Sequence, residues 1–279
     1  MKYTSLIENT VAQLEAVQGV QAIVLGGSYA SGTQHSDSDI DIAIYYSEAQ
    51  PLDTEPIRAI ATMLNDTPDP VVTGIDGWGR WVNGGSWLTI QGQRVDFLYR
   101  NSDFVSRTLD DCVRGIFEID YLQQPPYGFY SYMYCAETQI CKLLYDPDNI
   151  ISQLKAKVVA YPQALKQAIL KHSLWSAQFS LENAYKPAKR GDIYFTAGCV
   201  TRAISMLVQV LYALNETYFL SEKNLARNIS TFKVIPNRFA ERVEAILSNI
   251  GGNAEQLAAS LASANALLQD LQLLSKRYV

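Results

Sequence analysis

Histidine and cysteine are scarce in this chain of 279 residues, which carries two histidines, His35 and His172, and four cysteines, Cys112, Cys135, Cys141 and Cys199. No Cys-x-x-Cys pair occurs among them, so a zinc site lacks its ligands, and reduced thiols in a cytoplasmic protein are the expectation. No apolar run approaches the length needed to span a bilayer. The N-terminal stretch MKYTSLIENTVAQLEAVQG places Glu8 and Glu15 among its apolar residues, so it reads as an amphipathic helix and not as a signal peptide. Basic excess is absent too. A formal net charge of −5 lacks the footprint that a polynucleotide partner requires. No internal repeat, low-complexity segment or disordered tail stands out beyond an Ala/Leu-rich C-terminal region.

What is present is ample core material, 48% hydrophobic against 18% charged, enough for two domains. Thr4 to Val17 spaces Leu6, Ile7, Val11 and Leu14 as a helix, and strand Val20 to Leu25 follows. Pro56 to Leu64 reads as a second helix. Asn83 and Gly84, between the aromatic-rich runs around Trp78 and Trp87, are a hairpin signal. Two adjacent prolines make Gln123 to Gly128 a linker candidate. Beyond it the chain turns helical, with expected helices at Phe129 to Tyr145, Gln163 to Ala184, Asp192 to Leu220 and Ala254 to Leu274, and Ser221 as an N-cap. The fold class expected is α+β: an N-terminal mixed β-sheet domain with flanking helices (residues 1–125), then a C-terminal helical bundle (residues 126–279).

One stretch carries chemistry. Gly26, Gly27 and Ser28 follow the apolar run Ala22 to Leu25, and glycines there let the backbone turn tightly and approach a phosphate through its amides. The strand Asp39 to Tyr46 then alternates. Asp39 and Asp41 share one face, roughly 6–7 Å apart, while Ile40, Ile42 and Ile44 share the other. Polar-out, apolar-in patterning explains an alternating strand as well, but aspartate is depleted in strands. Carboxylates held so close repel each other, and a divalent cation such as Mg2+ is the usual relief. In Arg94 to Tyr99, Val95 and Phe97 fall on one face and Asp96 on the other, which makes Asp96 the third member.

The run Gly-Gly-Ser, ten residues, Asp-Ile-Asp and a later apolar-Asp-apolar strand resembles the nucleotidyltransferase superfamily that includes DNA polymerase beta. The short spacing and the Ser38-Asp-Ile-Asp form look like its small bacterial members, such as the aminoglycoside, lincosamide and minimal nucleotidyltransferases. Residues 190–223 are similar to the helical domain of uncharacterised bacterial proteins that pair with this catalytic domain. The resemblance implies transfer of a nucleoside monophosphate, AMP from ATP or another NTP, to a hydroxyl of a small-molecule acceptor, with pyrophosphate leaving. It implies one or two Mg2+ ions on Asp39, Asp41 and Asp96, with Asp96 acting as ligand or base. Gly26, Gly27, Ser28 and Ser38 would then bind the nucleotide. A modified protein partner or a non-catalytic nucleotide-binding module are the alternatives. A membrane partner is not expected, nucleic acid is disfavoured by the charge, and a homodimer is open.

Other residues carry two readings each. Lys223, with Arg202 on the preceding helix, would reach the triphosphate or else be a solvated charge. Glu137 and Glu216 would be acceptor-site bases or surface residues. His172 reads as a packed histidine and His35 as an exposed loop residue. Trp78, Trp81 and Trp87 would stack on a ring substrate or on one another across strands.

Overall fold

The computed structural model describes residues 3–278. Two compact units emerge: one holds the residues through Asp111 together with Phe117–Ala160, the other Cys112–Ile116 and Tyr161 onward. In chain order the first unit contains α1 (Thr4–Leu14), β1 (Ala22–Leu25), α2 (Gly27–Ser31), β2 (Ile40–Tyr46), α3 (Thr54–Leu64), β3 (Val71–Val72), β4 (Gly85–Ile90), β5 (Gln93–Asn101), most of α4 (Ser102–Val113), β6 (Ile119–Asp120), β7 (Phe129–Tyr130), α5 (Met133–Ile140), β8 (Lys142–Tyr145) and α6 (Ile150–Lys157). The second holds α7 (Gln163–Lys189), α8 (Ile193–Leu214), α9 (Leu225–Asn228), α10 (Phe239–Ser248) and α11 (Ala254–Tyr278).

The first unit is built on a six-stranded mixed sheet ordered β3-β4-β5-β2-β1-β8. β2 and β5 run parallel, and the other pairings are antiparallel. Alternation decides the faces. Ile40, Ile42 and Ile44 of β2 and Val95, Phe97 and Tyr99 of β5 are buried in one cluster with Leu6, Ile7 and Leu14 of α1 and Ile57 and Ala61 of α3. That arrangement leaves the opposite face of β2 and β5 to Asp41, Asp96 and Arg100. Toward Arg100 this second face is covered by α5, through Glu137 and Tyr134.

Several expectations change. The β4–β5 hairpin turns at Gln91 and Gly92, both with positive φ (53° and 75°), where Gly92 itself signals a turn after the strand-like run Trp87 to Ile90, and not at Asn83 and Gly84. Asn83 instead closes the loop before β4: its amide donates to the Tyr46 hydroxyl at 2.9 Å and its Oδ1 accepts from the Asp76 N–H at 2.9 Å. Residues 123–128 are not a linker; they join β6 to β7, which pair as a small hairpin. The single helix expected from Phe129 to Tyr145 is cut short because Lys142 to Tyr145 are drawn onto the edge of β1.

In the second unit α7, α8 and α11 pack on one another. Asp192 caps α8, accepting from the Phe195 N–H at 3.1 Å. The helix stops at Leu214, where Asn215 turns back to donate to Val234 O at 2.8 Å. Ser221 does not cap the next helix; its Oγ accepts from the Lys223 N–H, and α9 begins after Asn224. Against the expectation of no membrane-length apolar run, α8 is long and apolar enough to cross a bilayer, and 72% of its most apolar window is buried inside the protein. Phe179 of α7 is exposed and stacked on Trp175.

Candidate active site

β1 delivers the chain to Gly26, whose N–H donates to Asp41 O at 2.8 Å. α2 then starts at Gly27 with φ +53°, and a Cβ there would lie 1.8 Å from Asp41 Oδ2. Glycine is required on both counts: the left-handed conformation disfavours a side chain, and the Asp41 carboxylate fills the space one would need. The close approach read from the sequence is therefore made first by an aspartate of the site itself. The backbone N–H groups of the first turn of α2, from Gly27 onward, have no acceptor within the helix. Ser28 is half-buried there, and its carbonyl accepts from the Thr33 N–H at 3.0 Å.

The parallel register sets Asp41 beside Asp96, as Ile42 is set beside Phe97. Directly paired residues on adjacent strands project to the same side, with Cβ atoms about 5 Å apart. Asp39 lies just before β2, with its Oδ1 closed off from solvent and 2.6 Å from Arg94 Nε, though not aligned as a hydrogen bond. Ser38 stabilises this entry: its carbonyl accepts from Gln93 Nε2 at 2.7 Å and its hydroxyl from the His35 N–H at 2.8 Å. His35 itself is exposed in the loop.

Burial, reinforced by the charges of Asp96, Asp39 and Glu137 and opposed by Arg100, pushes the Asp41 carboxyl up to about 7. Negative charge is thus in excess around Asp41. Arg100 lies further along β5, the strand of Asp96, its side chain 5% exposed, and binds Glu137 through Nε and Nη2 of one guanidinium edge at 3.1 and 3.2 Å. Arg94 and Arg100 went unnoticed in the sequence, yet each stands an even number of residues from Asp96 and so shares its face. Glu137, weighed as a base, is the partner of Arg100. Glu216, weighed likewise, binds Lys166 at 2.9 Å in the helical unit.

The donor set suits a hard divalent cation: carboxylate oxygens, with Asp41's ionisation suppressed by burial and then by its carboxylate neighbours. Among the described residues no three His, Cys, Asp or Glu side chains are already gathered around one point as a metal site, Asp39 being engaged by Arg94. Lys223 stands exposed in the loop after α8, and Arg202 donates to Ser176 Oγ at 3.4 Å across α7 and α8. Trp81 is buried against Phe104, Phe129 and Tyr134, whereas Trp87 is exposed and stacked on Trp78. Two open grooves, of about 740 and 770 Å³, lie in the helical unit around α10 and hold none of the expected site residues. The aspartates instead sit on the sheet face opposite the core, where Asp39, Asp41 and Asp96 are each half-buried.

A family model described as a nucleotidyltransferase domain matches residues 6–159, ending where the first compact unit ends. A second, a domain of unknown function (DUF4037), matches residues 133–223. No curated protein matches the chain. Among solved structures, a nucleotidyltransferase-like protein from Exiguobacterium sibiricum 255-15 aligns over 99% of this chain and 77% of its own, at 10% identity and a TM-score of 0.46.

Proposed function

The chain belongs to the nucleotidyltransferase domain family, and from that premise we propose that it transfers AMP from ATP to a hydroxyl of a small-molecule acceptor, releasing pyrophosphate, with Mg2+. The observation that carries this reading is the pairing of Asp41 with Asp96 in register, with Gly27 pressed against the Asp41 carboxylate. In this reading the glycine turn and the carboxylates belong to one site.

In this reading Asp39, Asp41 and Asp96 would hold the cation. When bound, Mg2+ supplies charge compensation for the triphosphate and for the pyrophosphate that leaves. The chain's own groups do the rest. The amides that begin α2, with the Ser28 hydroxyl, donate to phosphate oxygens, and Ser38 anchors the loop that presents Asp39. The acceptor oxygen forms a bond to the α-phosphorus as the bond from that phosphorus to the bridging oxygen of pyrophosphate breaks. Asp96, on the strand beyond Asp41, takes the proton from the attacking hydroxyl. Arg94, 2.6 Å from Asp39, would be free to pair with phosphate once that carboxylate held a cation.

Incubation with ATP labelled at the α-phosphate, Mg2+ and pooled hydroxyl compounds tests the reading. Label is expected in a small product, with stoichiometric pyrophosphate, and is lost in Asp41→Asn. Label in a protein would replace the small-molecule acceptor with a protein one. Absence of nucleotide binding and transfer with every NTP, or an Asp41→Asn variant as active as the parent, would overturn it.

A further inference from the structure

The sheet register continues the site past Asp96. Trp87 of β4 pairs with Asp96, and Val71 of β3 pairs with Trp87, so Asp41, Asp96, Trp87 and Val71 form one row across four strands on one face. At a strand spacing of about 4.8 Å, Trp87 stands one strand from Asp96 and about 10 Å from the strand of Asp41. Trp87 is 56% exposed, and Val71 beside it is 48% exposed. Leu88 and Ile90 of the same strand, at 4% each, already supply the core. Trp87 is therefore surplus to the packing of β4.

The indole is also held in place. Trp78 stacks on it at 4.8 Å between ring centroids and 20° between planes. Trp78 is seated over Gly85, where a Cβ would come to 3.0 Å from its ring. The buried Trp81 shows the other use of an indole here, enclosed among Phe104, Phe129 and Tyr134 with 2% exposure. Trp87, braced from one side by Trp78 and open elsewhere, has the form of a preorganised ring platform.

Direction assigns the ligand. The Gly26–Gly27 turn abuts Asp41 from the β1 side, which places the phosphates there. Displacement at phosphorus is in line, so the nucleophile enters opposite the departing pyrophosphate, over β5 and β4. We propose that Trp87, backed by Trp78, is the stacking platform for the acceptor, which is a hydroxyl compound carrying a flat ring. This rests on the nucleotidyl-transfer reading above.

The four tryptophans make the test site-specific. Full-length protein labelled with ¹⁵N at the indoles is saturated with Mg2+ and a non-hydrolysable ATP analogue, then titrated with tyrosol (4-hydroxyphenethyl alcohol) as ring probe and 1,4-butanediol as ringless control. Saturable shifts are expected at the Trp78 and Trp87 indole signals and not at Trp81 or Trp175. Trp87→Ala should weaken tyrosol about tenfold, while Trp87→Phe keeps affinity within about threefold because a ring remains. Neither change should alter nucleotide affinity or the circular dichroism spectrum. Tyrosol that shifts neither indole, butanediol that binds as well, or a Trp87→Ala loss falling equally on nucleotide would overturn the platform. Loss of nucleotide binding in the unaltered protein would instead sink the underlying reading, and the platform with it.

Discussion

In the helical unit, Lys166 meets Glu216 at 2.9 Å and Arg242 meets Asp270 at 2.7 Å, each cation beside its own anion. On the polar face of the sheet, Asp41 is surrounded by Asp96, Asp39 and Glu137, with Arg100 opposing them. The same residue types thus serve two ends. Matched pairs close a structure, whereas an unbalanced cluster of carboxylates leaves the protein short of positive charge at one place. The site proposed above, for a cation and a polyphosphate, would need that imbalance, and it persists because β2 and β5 are fixed by the core beneath them.

Removing the imbalance should have the largest consequence. Asp41→Asn is expected to reduce nucleotidyl transfer by at least about a hundredfold, the scale on which one fixed electrostatic group in an active site acts. Gly27→Ala should do as much without touching any charge, because its Cβ would displace the Asp41 carboxylate. Steady-state transfer from α-labelled ATP checks both. A Gly27→Ala enzyme with normal activity would show that the contact between turn and aspartate is incidental.

The next effect falls on stability. Glu137→Ala leaves Arg100 enclosed without its anion, and urea unfolding should show a loss of about 3 kcal/mol. The two carbonyls that Arg100 also reaches, Val82 O and Tyr99 O, cannot neutralise its charge. An unchanged midpoint would mean that water reaches the guanidinium.

How much of this is legible in the chain depends on the range of the interaction. Asp39, Asp41 and Asp96 declare their face through a period of two, and the β2–β5 pairing then sets the last two side by side. Gly27 is marked by its place after the apolar run Ala22 to Leu25, whereas the short helix α2 that it opens is not marked. Other features answer to partners distant in sequence. Glu137 lies 37 residues from Arg100, and the Lys142–Tyr145 strand forms only because β1 offers an edge to it. The end of α8 is likewise set by Asn215 reaching Val234, which local hydrophobic periodicity does not report. The polar roles within the bundle stay hidden for the same reason: Lys166 and Glu216 sit 50 residues apart.

A smaller effect distinguishes the sheet's imbalance by pH. In the metal-free protein the Asp41 carboxyl is raised to about 7 from its ordinary 3.8, mainly by burial and then by Asp96. Between these values the folded chain keeps a proton that the unfolded chain has released. Stability therefore falls as pH rises across that window. With a chelator present, Asp41→Asn should melt together with the parent near pH 4 and a few degrees above it at pH 8. Parallel melting curves at all pH values would refute a buried, crowded carboxylate.

The smallest expected effect lies in the matched pair of the bundle. Glu216→Gln strips the charge from a carboxylate that is 47% exposed while Lys166, at 7%, stays enclosed. Solvent screens one partner, so the loss should be only about 1 kcal/mol. Hydrogen bonding to Lys166 holds the Glu216 carboxyl below its ordinary value, so the contribution is present above the ordinary glutamate range and vanishes as pH falls through the lowered one. Urea midpoints for Glu216→Gln should accordingly lie below the parent at pH 7 and converge with it in acid. Lys166→Met, which removes the cation and keeps an apolar stem, should come closer to the parent than Glu216→Gln does. If nucleotide affinity fell with either variant while stability held, the pair would belong with the carboxylates of the sheet and not with the architecture of the bundle.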